Sequence, residues 1–143
     1  MAITQALCPS FKAEMLDEQH DIEADSFKIA LYTSSTTLSA ATATYSDGTP
    51  SNQVANGSGY TTGGVTLSSA DVHTDGTTVI IDFADPSWTS ASFTAAGALI
   101  YNSSNSNKAV AVLSFGGDFT VTSGTFTIVF PAKDASNGLI RFA

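Results

Sequence analysis

Apolar and polar residues alternate along most of the chain from residue 27 onward. Residues 27–32 carry large apolar side chains at every second position, which predicts a half-buried strand. Similar patterns predict further strands over residues 60–67, 77–83, 93–101, 108–115, 125–130 and 139–142. Residues 93–101 are apolar on both faces, so we expect a central strand there.

Turn signals separate these predicted strands. They are Asp75-Gly76, Asp85-Pro86, a Ser/Asn-rich loop at 102–107, Gly116-Gly117-Asp118 and Asn137-Gly138. A polar loop at about 34–59 has no clear periodicity and contains turn signals at Asp47-Gly48 and Asn56-Gly57. Loops of this length are usually binding elements or are ordered by a partner, so we expect this one to reach a neighbouring protein.

One short helix is predicted in the N-terminal segment, residues 1–26. Ser10 is a candidate N-cap, and Phe11, Met15 and Leu16 form an apolar stripe at helical spacing. The helical pattern ends at His20-Asp21. Because no helices alternate with the strands, we predict an all-β chain with a single domain over 1–143, in which 27–143 form a β-sandwich or a jelly-roll-like barrel.

Charge is scarce and unevenly placed. Charged residues make up 13% of the chain, against about 25% in an average soluble domain, and the net charge is −8. Six of the 13 acids lie within residues 14–25, whereas the five bases are scattered. Scattered bases do not neutralise phosphates, so we expect neither direct nucleic-acid binding nor binding to an anionic membrane.

The N-terminal sequence and the single cysteine indicate the cellular compartment in which the protein is made. Cys8 is the only cysteine, which excludes an intrachain disulfide, and we expect it to pack rather than to react. No signal-peptide pattern and no apolar run of about 18 residues is visible. We therefore expect synthesis in a cytoplasm without export by the signal-peptide route.

Candidate catalytic chemistry is sparse. The acidic segment around His20 and the His-x-Asp pair that begins at His73 each offer one imidazole, fewer than the three or four ligands that zinc needs. Paired carboxylates for glycoside cleavage would have to come from Asp82, Asp85 and Asp118, and the first two have ordinary structural explanations in a strand and a turn. We expect no enzyme, no cofactor and no metal.

Large apolar residues are more informative than the polar ones. A lone tryptophan such as Trp88 is most often a core residue in a sandwich, and otherwise an interface anchor. The N-terminal segment and the 34–59 loop are the parts that we expect to reach neighbours. The interface candidates are Ile3, Leu7, Phe11, Tyr45, Tyr60 and Trp88.

Short stretches spread over nearly the whole chain resemble small virion structural proteins of tailed bacteriophages. They are residues 1–8, 10–12, 27–33, 59–61, 63–64, 82–86 with Trp88, 97–102 and 107–113. None of them is a catalytic signature. The resemblance implies a structural role in a phage particle, and within that group we expect the capsid decoration, or cement, type.

Three functions stay open at this point. A cement protein would lie on the capsid surface of the virion, after assembly in the host cytoplasm, and would contact the major capsid protein and copies of itself as a dimer or trimer. A tail, baseplate or fibre-adaptor protein would be present in far fewer copies per particle. A receptor- or glycan-binding module would use Trp88 and Tyr60 as a platform.

Overall fold

Eight strands and one helix form the regular structure of residues 3–46 and 51–142, which are the residues that this computed structural model describes. The helix is α1 (Pro9–Leu16), and the strands are β1 (Ala6–Leu7), β2 (Phe27–Tyr32), β3 (Val65–Thr66), β4 (Asp71–Asp75), β5 (Thr78–Asp82), β6 (Ser87–Asn102), β7 (Lys108–Thr127) and β8 (Ile140–Phe142). They form a five-stranded sheet in the order β1-β7-β6-β2-β3 and a three-stranded sheet in the order β4-β5-β8. Every pair of these strands is antiparallel.

Two open sheets in a sandwich-like arrangement confirm the predicted all-β class with a short N-terminal helix. The sheets do not close into a barrel, because each of them has two terminal strands. One buried cluster draws side chains from both sheets, among them Ile29 and Leu99 from the larger and Ile81 and Ile140 from the smaller.

Strand β6 is central, as predicted, because it lies between β7 and β2. The prediction that β2 is half-buried was wrong: Ala30 and Tyr32 are as fully buried as Ile29. Segments outside the sheets add cover to the core, since Leu38 and Val54 from the long loop belong to the same buried cluster.

The helix differs from its prediction at both ends. Cys8, not Ser10, is the N-cap, because Pro9 starts the helix with a fixed φ and no N–H to satisfy. Phe11 is buried as expected, but Leu16 is 87% exposed, so it does not belong to the apolar stripe. The helix ends at Leu16 rather than near His20.

Gly116-Gly117-Asp118 forms a bulge rather than the predicted turn. Gly97 pairs with Ser114 and Ala95 pairs with Phe119, so two steps along β6 span five along β7. The surplus residues are accommodated where Gly116 adopts a φ of +79°. A single strand, β7, therefore includes all of the strand predicted over 108–115 and the first part of the strand predicted over 125–130.

The remaining predictions hold in part. Strands β5 and β8 lie where the pattern placed them, whereas the strand predicted over 60–67 is reduced to β3, and β4 was not predicted. Residues 34–46 and 51–59 contain only isolated bridges, as expected of a loop. The predicted turn at Asp47-Gly48 lies outside the described residues.

Candidate protein-binding surface

The outer parts of β6 and β7 form a two-stranded ribbon. Before Gly97, β6 no longer pairs with β2, so residues 87–96 of β6 and 115–127 of β7 pair only with each other. Positive φ values at Ser90 and Ser123 accompany register shifts in this region. An unbent strand would separate residues 115 and 126 by about 37 Å. The rings of Phe115 and Phe126 are only 6.0 Å apart, so the ribbon is sharply bent.

Aromatic rings fill the inside of the bend. Phe126 lies 5.9 Å from Trp88 and 5.3 Å from Phe93, and Phe93 lies 5.9 Å from Tyr60, in edge-on and tilted geometries that aromatic pairs prefer. Trp88 is 3% and Tyr60 is 2% exposed. These contacts hold the bend and leave Trp88 as a core residue.

This aromatic cluster is open to solvent at one rim. Phe119 is 53% and Val129 is 76% exposed there. Between them runs a groove of about 280 Å³, to which Phe115, Phe126 and Ile128 also contribute. We call this surface the rim patch and define it by Phe115, Phe119, Phe126, Thr127, Ile128 and Val129.

The rim patch has no charged residue of its own, although Arg141 lines the adjoining cleft. Between Pro86 and Lys133 the only Asp, Glu, Lys or Arg residues are Lys108 and Asp118. Hydroxyl groups pair across the two strands instead, at 2.9 Å between Ser87 and Thr127 and at 2.8 Å between Thr94 and Thr120. An apolar patch rimmed by neutral polar groups is typical of a protein contact, whereas it offers no charge to a phosphate or a cation.

A larger cleft separates the terminal strands of the two sheets. It has a volume of about 620 Å³, with Leu7 beside β7 on one side and Ile140 with Arg141 of β8 on the other. Strand β1 contributes only two residues to the edge of its sheet. Terminal strands expose backbone groups that can pair with a strand of another chain.

The interface candidates taken from the sequence occupy different depths. Phe11, Tyr45, Tyr60 and Trp88 are buried, and Ile3 and Leu7 are half-buried. The fold brings Tyr60 and Trp88 together, with ring centroids 6.5 Å apart. Contact of these six residues with another protein stays a prediction, and in this conformation only Ile3 and Leu7 present appreciable surface for it. Sequence reasoning missed Phe119 and Val129.

Buried tyrosines anchor the long loop to the larger sheet. The Tyr60 hydroxyl donates to Gln53 Oε1 at 2.6 Å and accepts from the Leu31 N–H at 3.0 Å. Tyr45 stacks on Tyr101 with ring centroids 4.3 Å apart. Burial raises the pKa of Tyr32, Tyr60 and Tyr101 above the ordinary tyrosine value. The described part of the loop is therefore tied down by contacts within the chain.

His20 ties the N-terminal segment to the connection between β6 and β7. Its Nε2 lies 3.1 Å from Glu14 Oε1, and its Nδ1 lies 3.0 Å from the side-chain nitrogen of Asn102. The same nitrogen donates to Asp25 Oδ2 at 2.7 Å. Because an amide nitrogen can only donate, the neutral ring carries its proton on Nε2. His20 is thus explained as a packing and hydrogen-bonding residue.

Other titratable groups have local structural partners. Lys133 Nζ lies 2.5 Å from Asp71 Oδ2, and this hydrogen bond lowers the pKa of Asp71. Burial raises the pKa of Asp82. Burial, and next the charge of Glu14, raise the pKa of the Cys8 thiol to about 11, so it stays protonated at neutral pH.

The described residues contain neither a metal-binding cluster nor a membrane-spanning helix. No three His, Cys, Asp or Glu side chains there lie close enough together to hold a metal ion. His73 and Asp75, taken from the sequence as a turn-side pair, lie on β4. Nor does any helix of residues 3–46 and 51–142 have the length and apolar character to cross a membrane.

Comparison with known proteins gives no family for this chain. No family model, no curated protein and no solved structure matched it. Its function is therefore inferred from its residues and from the geometry above.

Proposed function

We propose that this chain is a non-enzymatic structural protein of a bacteriophage particle, which binds the outside of the major capsid shell and stabilises it. The observation that carries the proposal is the rim patch, an exposed apolar surface on an almost uncharged ribbon. Patches of this kind mark protein contacts. The placement of that contact in a phage particle depends on the resemblance to virion structural proteins.

The geometry suits many weak contacts better than one strong contact. A stable pairwise interface buries about 800 Å² on each partner, and a single groove with two exposed side chains offers less. On a symmetric shell the same contact is repeated, and contacts of one subunit to several neighbours add through effective concentration. The terminal strands β1 and β8 provide further places where a capsid strand can pair by backbone hydrogen bonds.

A tail, baseplate or fibre-adaptor role is the second candidate, because the same apolar surface would serve a contact there. The number of copies per particle separates it from the capsid role. A glycan-binding module would need exposed rings at Trp88 and Tyr60. Both rings are buried, so no observation favours that function and we do not propose it.

The experiment adds purified protein to DNA-filled heads that lack it and measures binding and survival of osmotic shock. We expect the protein to bind and to increase the fraction of heads that survive. Phe119→Ser should weaken binding, whereas Leu16→Ser, which removes an exposed apolar side chain from α1, should bind as the unaltered protein does. Absence of binding, or equal weakening by both substitutions, would contradict the proposal.

A further inference from the structure

His20 occupies a buried position between α1, β2 and the end of β6. Its side chain is fully buried, and its ring centroid lies 4.9 Å from that of Phe11 and 6.2 Å from that of Phe27. Its Nε2 lies 3.1 Å from Glu14 Oε1, and its Nδ1 lies 3.0 Å from Asn102 Nδ2. The ring therefore connects the segment that follows α1 to the loop between β6 and β7.

Two other partners fix the orientation of the Asn102 amide. Its Oδ1 accepts the Ser104 N–H at 2.9 Å, and its Nδ2 donates to Asp25 Oδ2 at 2.7 Å. Since a backbone N–H only donates and a carboxylate only accepts, a rotated amide would face the wrong group at both places. Asn102 is fully buried, and a buried polar group without a partner is costly. Its Nδ2 therefore stays directed at His20 Nδ1, which has to accept.

A second proton on the His20 ring has no acceptor in this arrangement. It would bind at Nδ1, because Nε2 already carries the proton that it donates to Glu14. Two N–H groups, one from His20 and one from Asn102, would then point at each other across 3.0 Å. Protonation of the ring therefore breaks its contact with the end of β6.

Charged groups near the ring still allow it to take up a proton. Glu14 Oε1 lies at Nε2 and Asp25 lies beyond Asn102 Nδ2, and both carboxylates attract a positive ring. Lys108 Nζ lies 3.5 Å from Glu14 Oε2 and offsets part of that attraction. The contacts from β2 and β6, which are Phe27 and Asn102, are uncharged.

We propose that His20 is a pH-sensitive switch, in which protonation at Nδ1 separates residues 17–26 from the loop between β6 and β7. Histidine is the residue type whose charge changes between about pH 5 and 8. In the open form the ring faces water and takes the proton without conflict, so acid shifts the population toward that form. An exposed histidine has a pKa of about 6.5, so with the proton bound only in the open form the ratio of open to closed molecules rises about tenfold from about pH 7.5 to 5.5. The switch does not depend on the function proposed above.

Hydrogen exchange of two backbone amides measures the opening. The Ser103 N–H donates to Ser26 O at 2.9 Å, and the Ser26 N–H donates to Ser104 Oγ at 2.8 Å, so both hydrogen bonds bridge the two parts that separate. In NMR of the full chain, after correction for the intrinsic effect of pH on exchange, both amides should exchange about tenfold faster at about pH 5.5 than at about 7.5. The Leu99 amide in the centre of β6 should not follow this change.

The nitrogen chemical shifts of the two histidine rings provide a second measurement on the unaltered protein. At about pH 7.5 the His20 ring should carry its proton on Nε2, and its protonation should proceed in step with the faster exchange. His20→Phe keeps an aromatic ring against Phe11 and Phe27 but cannot bind a proton, so exchange of the two serine amides should lose its pH dependence. His73→Phe is the matched control, because His73 lies on β4, and this variant should keep the dependence.

Three results would overturn the inference. They are a His20 ring with its proton on Nδ1 at about pH 7.5, exchange at Ser26 and Ser103 that does not change with pH, and a pH dependence that survives His20→Phe. The first two are measured on the unaltered chain, so they decide even where His20→Phe does not fold. None of these measurements involves a phage particle, so the binding of the protein to heads is tested independently.

Discussion

The substitution Tyr60→Phe should destabilise the protein, whereas Tyr32→Phe should leave its stability equal or higher, although both remove one hydroxyl from a buried ring of the same cluster. The Tyr60 hydroxyl accepts the Leu31 N–H at 3.0 Å and donates to Gln53 Oε1 at 2.6 Å. The Tyr32 hydroxyl is buried and has no hydrogen-bond partner among the described residues. One substitution therefore leaves a buried N–H unsatisfied, and the other removes a buried group that is already unsatisfied.

The magnitudes follow from these partners. Loss of the Tyr60 hydroxyl leaves the Leu31 N–H unpaired, which costs about 1–3 kcal/mol, while Gln53 Oε1 still accepts the Gly63 N–H at 2.8 Å. Loss of the Tyr32 hydroxyl costs nothing or stabilises the protein by up to about 1 kcal/mol. At about 2.1 cal/mol/K of unfolding entropy per residue, a chain of 143 residues shifts its midpoint by about 3 °C per kcal/mol. The two variants should melt about 3–12 °C apart.

Thermal unfolding followed by circular dichroism measures the two midpoints under one buffer condition. We expect the order Tyr60→Phe, then the unaltered protein, then Tyr32→Phe at an equal or higher temperature. Urea titration provides a second estimate of the free-energy difference. The reasoning is refuted if Tyr32→Phe destabilises the fold as much as Tyr60→Phe does.

Four further substitutions or treatments test other parts of the structure. Gly64→Ala should destabilise the protein by more than about 3 kcal/mol in urea titration. The backbone φ at Gly64 is +81°, and the new Cβ would lie 1.7 Å from the Ile29 carbonyl oxygen. An unchanged unfolding midpoint would contradict this close approach. Asn102→Leu should cost about 2–4 kcal/mol in the same titration, since it leaves His20 Nδ1 without its donor and removes one of the two donors to Asp25 Oδ2. A neutral effect would argue against this network. Because burial raises the pKa of Cys8 to about 11, iodoacetamide at about pH 8 should label it only as the chain unfolds, and rapid labelling of the folded protein in mass spectrometry would disprove that burial. Burial raises the pKa of Tyr60 above its ordinary value, so the folded state keeps a proton that the unfolded state releases at high pH. The contribution of Tyr60 to the free energy of unfolding should therefore be fully present below a pH of about 10 and fall as the pH rises further. A free energy of unfolding that stays the same between about pH 9 and 11 would contradict this expectation.

Strands that fill the core with their own side chains were predictable from the sequence. The pattern over 27–32 matches β2, and that over 77–83 contains β5. Their apolar residues alternate with polar ones or follow one another directly because those positions face the interior. The local sequence alone therefore predicts these two strands. The all-β class follows from several such strands without interleaved helices.

Strands that depend on pairing were not predictable. Four of the five residues of β4 are polar, and it is a strand because all five pair with β5. Gly116-Gly117-Asp118 has the composition of a turn, and only its position opposite β6 makes it a bulge. The burial of Ala30 and Tyr32 likewise depends on distant segments that cover β2.

The rim patch was the feature least predictable from the sequence. Exposure of Phe119 and burial of Trp88 both depend on how the ribbon bends near Ser90 and Ser123. Serines with positive φ carry no distinctive sequence signal, since serine is common in loops and strands of this chain. The scarcity of charge between Pro86 and Lys133 was visible in the sequence, but the position of an apolar groove within that region was not.

The number of copies of this chain in purified virions tests the central claim most directly. Quantitative mass spectrometry against the major capsid protein gives that number, and electron microscopy of labelled particles gives its location. We expect the chain on the head surface in a fixed ratio to the major capsid protein. Absence from assembled particles would contradict the account, and a small fixed number confined to the tail would replace the capsid role by the adaptor role.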